Sequence, residues 1–535
     1  MAFSLSFDDV LIKPCYSDLK SRKEVDLSSK LSDSITLKLP VISSPMDTIT
    51  EHKMSIQMAL NGGIGIIHRF NSIEEQVSEV SRVKRFLKKV IDDPFTIKKL
   101  DFNSYAPGRF VNSLNEPDEH GNKKVKYCNI LDTSSNNNDK IYSTLKLAYE
   151  DTKLKTGCSS FILTDMSKKP IGIVCKRDIE IDEICNNLSS AEIKNYKQEL
   201  YYVVSDSFDE IDLDEIRIEL IKRNFKKCPV VNSEGKLTGL ITMKNIEMYK
   251  KFANATLDKD KSLMVGAAVG IGDNYRERAT RLVEAGVDLI CVDVANGHNK
   301  YVAEAIRWIK SEFPDITIMA GNVATPEGFE FLAESGADCV RVGIGNGSIC
   351  SARLMTGCGV SQFSAIKEIA KHRWYTRESR NSPVRCCKII SDGGHCGKIG
   401  NHFKALTIGA DFIMLGNFLS GTDESPGRIV TRNGRRQKVF RGMASAEATI
   451  SRMEKQNQKI SDEMSEQLHS EGIESSVELK GPVIGLLNKI AGGLRSGYSY
   501  TGSRNLEELH NKVANDQVLF TRISSIGIRE TQTRV

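Results

Sequence analysis

The sequence has no apolar run that approaches the ~20 residues a membrane-spanning helix needs, so we do not expect a membrane as a partner. Long basic blocks are also absent, and 74 Lys and Arg against 69 Asp and Glu leave a formal charge of only +5 over 535 residues. Proteins that bind nucleic acid usually concentrate positive charge on one face or in one segment. The charge distribution therefore predicts no nucleic-acid partner.

The cysteines lack the pattern of a disulfide-stabilised secreted protein. There are 13 of them, an odd number scattered along a long chain, whereas disulfide frameworks are dense in short secreted domains. The first residues lack the basic and apolar regions of a secretory signal, and the last residues do not match the Ser-Lys-Leu peroxisomal signal. We expect free thiols and a cytoplasmic location, with a peroxisome-like organelle as the alternative.

A pattern of helix end, glycine, aspartate and apolar strand occurs three times. The copies are residues 284–290 (EAGVDLI), 334–340 (ESGADCV) and 407–413 (TIGADFI). Glycine closes a helix because it tolerates the left-handed conformation, and continuous apolar runs suit strands buried on both faces of a parallel sheet. These units predict an α/β fold, a (β/α)8 TIM barrel with its chemistry at the carboxyl ends of the strands. A doubly wound open sheet is the alternative.

A glycine-rich loop that ends in a thiol follows one of these strands. Residues 342–350 (VGIGNGSIC) place Gly345, Gly347 and Ser348 just before Cys350. Glycines let the backbone approach a ligand closely, Ser348 and nearby amides can bind phosphate, and Cys350 can act as a nucleophile. A buried structural cysteine is the alternative. A second loop of this type, residues 391–394 (SDGG), favours a thiol enzyme that binds nucleotides.

A different repeat interrupts the barrel pattern. Residues 170–180 (PIGIVCKRDIE) and 237–247 (LTGLITMKNIE) each combine a strand with the start of a helix. We predict a two-copy module at residues 94–251, with copies at about 94–185 and 195–251, inserted into a barrel made of residues 1–93 and 252–535. Within the insertion, the polar stretch 112–139 has little to bury and is predicted to be a loop or locally disordered.

Several short motifs occur in the order typical of one enzyme family. They are residues 7–12 (FDDVLI), 43–48 (SSPMDT), 62–65 (GGIG), 320–323 (AGNV), the Cys350 loop, 391–394 (SDGG), 441–443 (RGM) and 492–496 (GGLRS). Together they resemble the inosine-5′-monophosphate (IMP) dehydrogenase/guanosine-5′-monophosphate (GMP) reductase family over nearly the whole chain. The inserted repeat resembles a tandem CBS (Bateman) domain, which implies regulation by purine nucleotides. The resemblance suggests Asp178, Thr242 and Asn245 as contacts to such a nucleotide, with a structural helix cap as the alternative for Asn245.

The same resemblance implies the residues of an active site. Cys350 would be the nucleophile, and Glu471 would handle the proton of the leaving ammonia. The implied substrate contacts are Ser44, Met46, Ser348, Asp392, Gly393, Gly394, Gly416, Asn417, Arg441, Gly442 and Met443. The implied contacts to NADPH are Asp293, Ala295 and Asn322, and the carbonyls of Gly345, Gly347 and Cys350 resemble a site for K⁺.

The two branches of the family differ in a flap near the active site. In the dehydrogenases an Arg-Tyr pair supports water activation, whereas Gln458 and Lys459 stand here. Glu471 matches the carboxylate with which the reductases handle ammonia. The resemblance therefore implies a GMP reductase that forms IMP with NADPH in purine salvage, as a homotetramer that can pair into an octamer. An NAD-dependent IMP dehydrogenase is the alternative, favoured by the CBS insertion. A nucleotide sensor with weak catalysis is a third, favoured by Ala352 where both branches usually have Thr.

Overall fold

The chain forms two compact units: Met1–Leu87 together with Phe252–Val535, and Lys88–Lys251. The computed structural model describes residues 3–87, 91–92, 96–100, 126–130, 141–142, 160–164, 167–175, 200–207, 211–272, 274–375, 382–432, 434–455, 470–524 and 526–527. The smaller unit begins earlier than residue 94 because the strand Ile91–Asp92 pairs with the strand Leu237–Thr242 inside that unit.

The larger unit is a closed barrel of eight parallel strands. In chain order these are β1 (Val41–Ser43), β2 (Ile64–Ile67), β3 (Gly266–Val269), β4 (Leu289–Asp293), β5 (Thr317–Val323), β6 (Cys339–Val342), β7 (Lys388–Asp392) and β8 (Phe412–Leu415). The sheet closes on itself because β8 pairs with β1 and β2 pairs with β3. The predicted (β/α)8 TIM barrel is confirmed, and the open-sheet alternative is wrong.

One long helix follows each barrel strand. The helices are α1 (His52–Leu60), α2 (Ile73–Phe86), α3 (Tyr275–Glu284), α4 (Lys300–Glu312), α5 (Pro326–Glu334), α6 (Gln362–Tyr375), α7 (Ile399–Thr407) and α8 (Ile484–Thr501). The hydroxyl of Ser72 accepts the Glu75 amide at 3.1 Å, and the Glu75 carboxylate accepts the Ser72 amide at 3.1 Å, so this reciprocal cap begins α2. The repeated glycines Gly286, Gly336 and Gly409 have φ angles of 85°, 107° and 118°, which end α3, α5 and α7.

The repeated aspartates join neighbouring strands at the amino ends of the barrel. Each carboxylate accepts a hydrogen bond from an amide at the start of the preceding strand, and each also pairs with a Lys or Arg. The amide donors are Val265 to Asp288 at 2.9 Å, Ile318 to Asp338 at 2.7 Å and Ile389 to Asp411 at 2.7 Å. The paired cations are Lys84, Lys310 and Arg373, respectively. The Gly-x-Asp repeat is therefore a structural feature, away from the catalytic face.

All eight strands contribute side chains to one buried core. The strands Ser29–Lys30 and Thr36–Leu37 form a hairpin that covers the amino ends of the barrel, where the hydroxyls of Ser32 and Thr317 lie 2.7 Å apart. Short elements complete this unit: the paired strands Val10–Ile12 and Phe520–Arg522, a sheet of Ile429–Arg432, Arg435–Arg441 and Glu474–Glu478, the helices Ala352–Thr356, Pro383–Cys386, Ala446–Lys455 and Leu506–Ala514, and the 3₁₀ turns Phe7–Asp9 and Arg22–Glu24.

The described residues of the smaller unit form two separate sheets. One has the strand order Pro170–Cys175, Ser160–Thr164, Thr96–Leu100, Lys126–Ile130 and Ile141–Tyr142, and the other has Val203–Val204, Lys227–Val231, Leu237–Thr242 and Ile91–Asp92. The helices Leu213–Lys222 and Met243–Lys251 accompany the second sheet. The predicted loop at 112–139 is wrong for Lys126–Ile130, because pairing with Thr96–Leu100 makes it a strand despite its polar surroundings. Among all helices of the described residues, none is long and apolar enough to span a membrane.

Candidate active site

A cavity of about 430 Å³ lies at the carboxyl ends of the barrel strands. It gathers residues from loops that are distant in the chain, as expected for the catalytic face of a TIM barrel. The predicted residues that line it are Ser44, Met46, Asp293, Ala295, Asn322, Gly345, Gly347, Ser348, Cys350, Asp392, Gly393, Gly394, Gly416, Asn417, Gly442, Met443 and Glu471. The structure thus brings most of the predicted site to one place.

Cys350 ends a loop whose shape depends on glycine. Gly345 has a φ of +70°, and a Cβ atom there would lie 2.3 Å from the Cγ of Arg353. The Arg353 guanidinium donates to the carbonyl of Ile344 at 3.0 Å, and the amide of Cys350 donates to the carbonyl of Gly347 at 3.2 Å. Cys350 is exposed. The alternative of a buried structural cysteine is therefore wrong.

Backbone hydrogen bonds hold Glu471 against the Cys350 loop. The amide of Ser351 donates to the carbonyl of Glu471 at 2.8 Å, and the amide of Ile473 donates to the carbonyl of Ile349 at 3.1 Å. The amide of Glu471 also donates to the carbonyl of Ala444 at 3.0 Å. Because these bonds join three loops, the thiol and the carboxylate line one cavity although they are far apart in the sequence.

A buried arginine joins two carboxylates at the strand ends. Arg341 on β6 is 5% exposed. It donates to Oδ2 of Asp392 from Nε at 3.2 Å and from Nη2 at 2.8 Å, and from Nη1 to Asp293. Burial alone would lower the pKa of Arg341, but the carboxylates of Asp392 and Asp293 outweigh it and raise this pKa well above its usual value. The Nδ2 of Asn322 also donates to Asp392 Oδ2, at 2.8 Å. The network orients Asp392 through its Oδ2, which accepts all three of these bonds.

Two glycine-containing loops lie next to each other at the ends of β7 and β8. Gly393 and Gly394 follow β7 with φ angles of 75° and 77°, and Gly416 and Asn417 follow β8. Backbone amides in such turns form anion sites, and the loops after the seventh and eighth strands of TIM barrels frequently bind phosphate. With Ser348 on the same cavity, this part of the site is suited to a phosphate group.

The model of the IMP dehydrogenase / GMP reductase domain matches residues 4–534 of the chain. The chain belongs to this family. Inosine-5′-monophosphate dehydrogenase from Nitrosopumilus maritimus is 37% identical over 530 residues, which cover 99% of this chain and 97% of the relative. GMP reductase from Leishmania major is 35% identical over 531 residues, which cover 98% of this chain and 96% of the relative. The relatives thus carry the names of both branches.

Solved structures give the same family assignment. A GMP reductase variant from Trypanosoma brucei in complex with guanosine 5′-monophosphate matches with a TM-score of 0.80 and 32% identity, over 100% of this chain and 98% of that chain. The same enzyme in complex with guanosine 5′-triphosphate matches with a TM-score of 0.70 and 29% identity, over 98% and 99%. Members of this oxidoreductase family use a nicotinamide cofactor.

Arg441 is a predicted substrate contact that does not line the cavity. Its Nε donates to Asp47 at 2.9 Å, and its Nη1 donates to the carbonyl of Glu447 at 3.3 Å. The Asp47 side chain is only 6% exposed, so this buried carboxylate requires a cation. Arg441 therefore holds the neighbouring Gly442 and Met443 in place, and those two residues line the cavity.

The sequence interpretation missed two residues that line the cavity and connect its loops, Arg341 and Asn346. Arg341 could have been recognised from the sequence, because a charged residue inside the apolar strand Cys339–Val342 requires a buried partner. Asn346 left almost no signal, because it stands among glycines in a loop. Its Nδ2 donates to the carbonyl of Asp392 at 2.7 Å and so connects the Cys350 loop to the loop after β7.

The predicted regulatory residues lie in the smaller unit or outside the described residues. The hydroxyl of Thr242 accepts the Asn245 amide at 3.1 Å and donates to the Asn245 side chain at 2.9 Å, so the pair begins the helix Met243–Lys251. This observation favours the structural-cap interpretation of Asn245. The nucleotide-binding role stays a prediction. Asp178 lies outside the described residues.

The predicted K⁺ site gains no support from the loop geometry. The Gly347 carbonyl already accepts the Cys350 amide, and the aliphatic part of Arg353 packs over Gly345. Within the described ranges, no group of three or more His, Cys, Asp or Glu side chains could hold a metal ion. The K⁺ site therefore stays a prediction that rests on resemblance.

Proposed function

We propose that this protein is an NADPH-dependent GMP reductase that converts GMP to IMP and ammonia. The observation that carries the proposal is the pair of backbone hydrogen bonds that joins Glu471 to the Cys350 loop. These bonds bring Glu471 to the cavity that Cys350 also lines. There its carboxyl group could protonate the amine that leaves when the thiol attacks. Gln458 and Lys459 replace the Arg-Tyr pair that a hydrolytic dehydrogenase would use.

The nucleotide would lie across the ends of the barrel strands. Its phosphate would accept hydrogen bonds from amides in the loops after β7 and β8 and from Ser348. The ribose hydroxyls would donate to Asp392, which Arg341 and Asn322 hold in one orientation. The purine would contact Met443, so its C2 would be within reach of the Cys350 loop.

The reaction exchanges one bond at C2 in each of two steps. In the first, the Cys350 thiolate adds to C2 and the bond from C2 to the exocyclic nitrogen breaks. Glu471 supplies a proton to that nitrogen, which leaves as ammonia, and the purine remains attached to sulfur. Such covalent catalysis divides one difficult substitution into two easier steps. In the second, a hydride forms a new bond to C2, the bond from sulfur to C2 breaks, and IMP leaves the regenerated thiolate.

The strand ends beside the nucleotide fit a nicotinamide cofactor. Asp293, Ala295 and Asn322 line the cavity, and the buried Oδ1 of Asn322 has no hydrogen-bond partner among the described residues. This acceptor suits the N–H of a carboxamide. When bound, the dihydronicotinamide supplies the hydride. Arg341 pairs with Asp293, which would border the cofactor, and also with Asp392, which would contact the ribose. One buried side chain therefore positions both carboxylates.

Ala352 lines the cavity where the family usually has Thr. We propose that Glu471 acts on the leaving amine without that hydroxyl. Ala352→Thr should therefore speed formation of the covalent intermediate. General acid–base catalysis typically contributes about 10²–10⁴ in rate, and because the added hydroxyl would only assist Glu471, we expect a gain of about 10²-fold or less. Rapid-quench trapping of the intermediate from GMP measures this step.

A two-substrate assay tests the proposal directly. The purified protein is mixed either with GMP and NADPH or with IMP and NAD, and nicotinamide absorbance is followed. Oxidation of NADPH that depends on GMP and releases ammonia supports the reductase. Reduction of NAD with IMP would instead support the dehydrogenase, which the name of the Nitrosopumilus maritimus relative favours. Nucleotide binding without either reaction would support a sensor.

We further propose regulation by purine nucleotides through the smaller unit and assembly as a homotetramer that can pair into an octamer. The regulatory proposal is supported by the smaller unit, which is compact and whose described residues form two sheets. The assembly proposal is supported by two apolar side chains beside the Cys350 loop, Leu354 and Met355, which are 88% and 56% exposed. Light scattering with and without guanine and adenine nucleotides measures the assembly and its response.

A further inference from the structure

One histidine lies beside the loops that follow β7 and β8, here called the phosphate loops, and is buried without a hydrogen bond among the described residues. His402 on α7 is 0% exposed, and neither its Nδ1 nor its Nε2 has a partner among the described residues. Leaving a buried polar group unpaired costs about 1–3 kcal/mol. His402 also lines the cavity described above. A hydrogen bond to a bound ligand would remove this cost.

The neighbours of His402 place it between the two phosphate loops. The centroid of its ring lies 4.9 Å from that of His395 and 5.1 Å from that of Phe418, and both contacts are edge to face. His395 directly follows Gly394 in the loop after β7, and Phe418 directly follows Asn417 in the loop after β8. Helix α7 therefore directs this imidazole to the junction of the two loops.

The neighbouring histidine is already engaged. The Nε2 of His395 lies 3.0 Å from the hydroxyl of Ser391, and its ring stacks on Phe7 at 5.6 Å between centroids. Of the two imidazoles, only His402 therefore has both nitrogens available to a ligand within the described part of the chain.

We propose that His402 donates a hydrogen bond to the 5′-phosphate of the bound nucleotide and so determines the preference for nucleoside monophosphates over nucleosides. A neutral imidazole carries one N–H donor, and a phosphate dianion is the strongest acceptor that the cavity's substrate offers. The rings of His395 and Phe418 pack against His402, and neither ring nitrogen of His402 has a hydrogen-bond partner among the described residues. Its N–H is therefore available to an anion.

The electrostatics around His402 agree with this role. Burial lowers the pKa of His402 to about 4, so the ring is neutral at physiological pH and its burial carries no charge cost before the ligand arrives. The inference rests on the proposed function only in requiring a purine mononucleotide, and it holds for either direction of the family's chemistry.

The test compares ligands that differ only in the phosphate. Calorimetry on the full chain gives the affinities of GMP and guanosine for the parent, His402→Phe and His402→Gln. Since a hydrogen bond to a charged group contributes about 1.5–3 kcal/mol, His402→Phe should weaken GMP binding by about 10- to 100-fold. It should change guanosine binding by about twofold or less. His402→Gln supplies an amide donor and should recover part of the GMP affinity.

His510→Phe is the matched control. His510 is also a buried imidazole, but it bonds to the carbonyl of Leu406 at 2.8 Å and does not line the cavity. Its removal should leave the ratio of GMP to guanosine affinity unchanged. If His402→Phe does not fold, His402→Leu takes its place, because leucine also lacks a hydrogen-bond donor. A GMP-to-guanosine affinity ratio in that variant equal to the ratios of the parent and of His510→Phe overturns the proposal.

Other outcomes separate this inference from the proposed function. Equal losses for GMP and guanosine in His402→Phe would overturn the phosphate contact. An unchanged GMP affinity would also overturn it, while leaving the reductase proposal intact. A parent protein that binds neither GMP nor IMP would overturn the proposed function and this inference with it.

Discussion

Arg341→Met should affect both the stability of the barrel and its affinity for the nucleotide. The guanidinium is 5% exposed and bonds to Asp293 and to Asp392. Without it, the Asp392 carboxylate loses its cation, and Asp293 keeps only the more distant guanidinium of Arg69, at 4.0 Å. Removing one partner of a buried ion pair costs about 3–5 kcal/mol. We expect a loss of that size in the free energy of unfolding.

Nucleotide binding should fall as well, because Asp392 loses the guanidinium that orients it together with Asn322. A hydrogen bond between a ribose hydroxyl and a carboxylate contributes about 1.5–3 kcal/mol, so the affinity for GMP should drop by about 10- to 100-fold. Urea unfolding measures the first effect and calorimetry the second. Arg341→Met with Asp392→Asn should be more stable than Arg341→Met alone, because one uncompensated charge is gone.

Arg373→Met is the matched control. Arg373 pairs with Asp411 and is 8% exposed, but this pair lies at the amino ends of the strands. Its loss should destabilise the barrel to a similar extent without changing the GMP affinity of the folded protein. If Arg341→Met bound GMP as tightly as Arg373→Met does, the role of Arg341 in orienting Asp392 would be refuted.

The remaining predictions concern the thiol, the acid, the inserted unit and pH. Cys350→Ala should abolish turnover and keep GMP binding, measured by NADPH oxidation and calorimetry; retained turnover would remove the thiol from the mechanism. Glu471→Gln should block ammonia release and the covalent intermediate, and turnover at the parental rate would contradict this role. Replacing residues 88–251 with a short linker should keep turnover but remove the response to guanine and adenine nucleotides; an equal response would place regulation in the barrel. Burial lowers the pKa of His402 and of His510 to about 4, whereas histidine in the unfolded chain has a pKa of about 6.5. As the pH falls, the unfolded state therefore binds protons before the folded state does, and the free energy of unfolding declines between pH ~6.5 and ~4. Each histidine accounts for about 3 kcal/mol of that decline, and the Phe variants should show a shallower dependence in urea titrations; an unchanged slope would contradict the buried neutral state.

Local sequence determined the fold class and singled out Cys350 as the candidate nucleophile. The Gly-x-Asp repeat predicted the barrel because glycine ends a helix and an apolar run follows, and both effects act within a few residues. The loop ending at Cys350 could be recognised for the same reason, since its glycines and its thiol are adjacent in the chain. The function of the repeated aspartates was not visible, because each one bonds to the start of a different strand.

The tertiary structure decided which of the recognised residues meet. Glu471 reaches the Cys350 cavity through backbone bonds between loops that are far apart in the chain, a contact that spacing cannot predict. The side chain of Arg441 neutralises the buried Asp47, and its contact to the substrate stays a prediction. Arg341 and His402 acquired their importance only when β6 and α7 placed them beside distant carboxylates and loops. Sequence patterns report local backbone preference, whereas burial and charge pairing depend on every neighbour that the fold supplies.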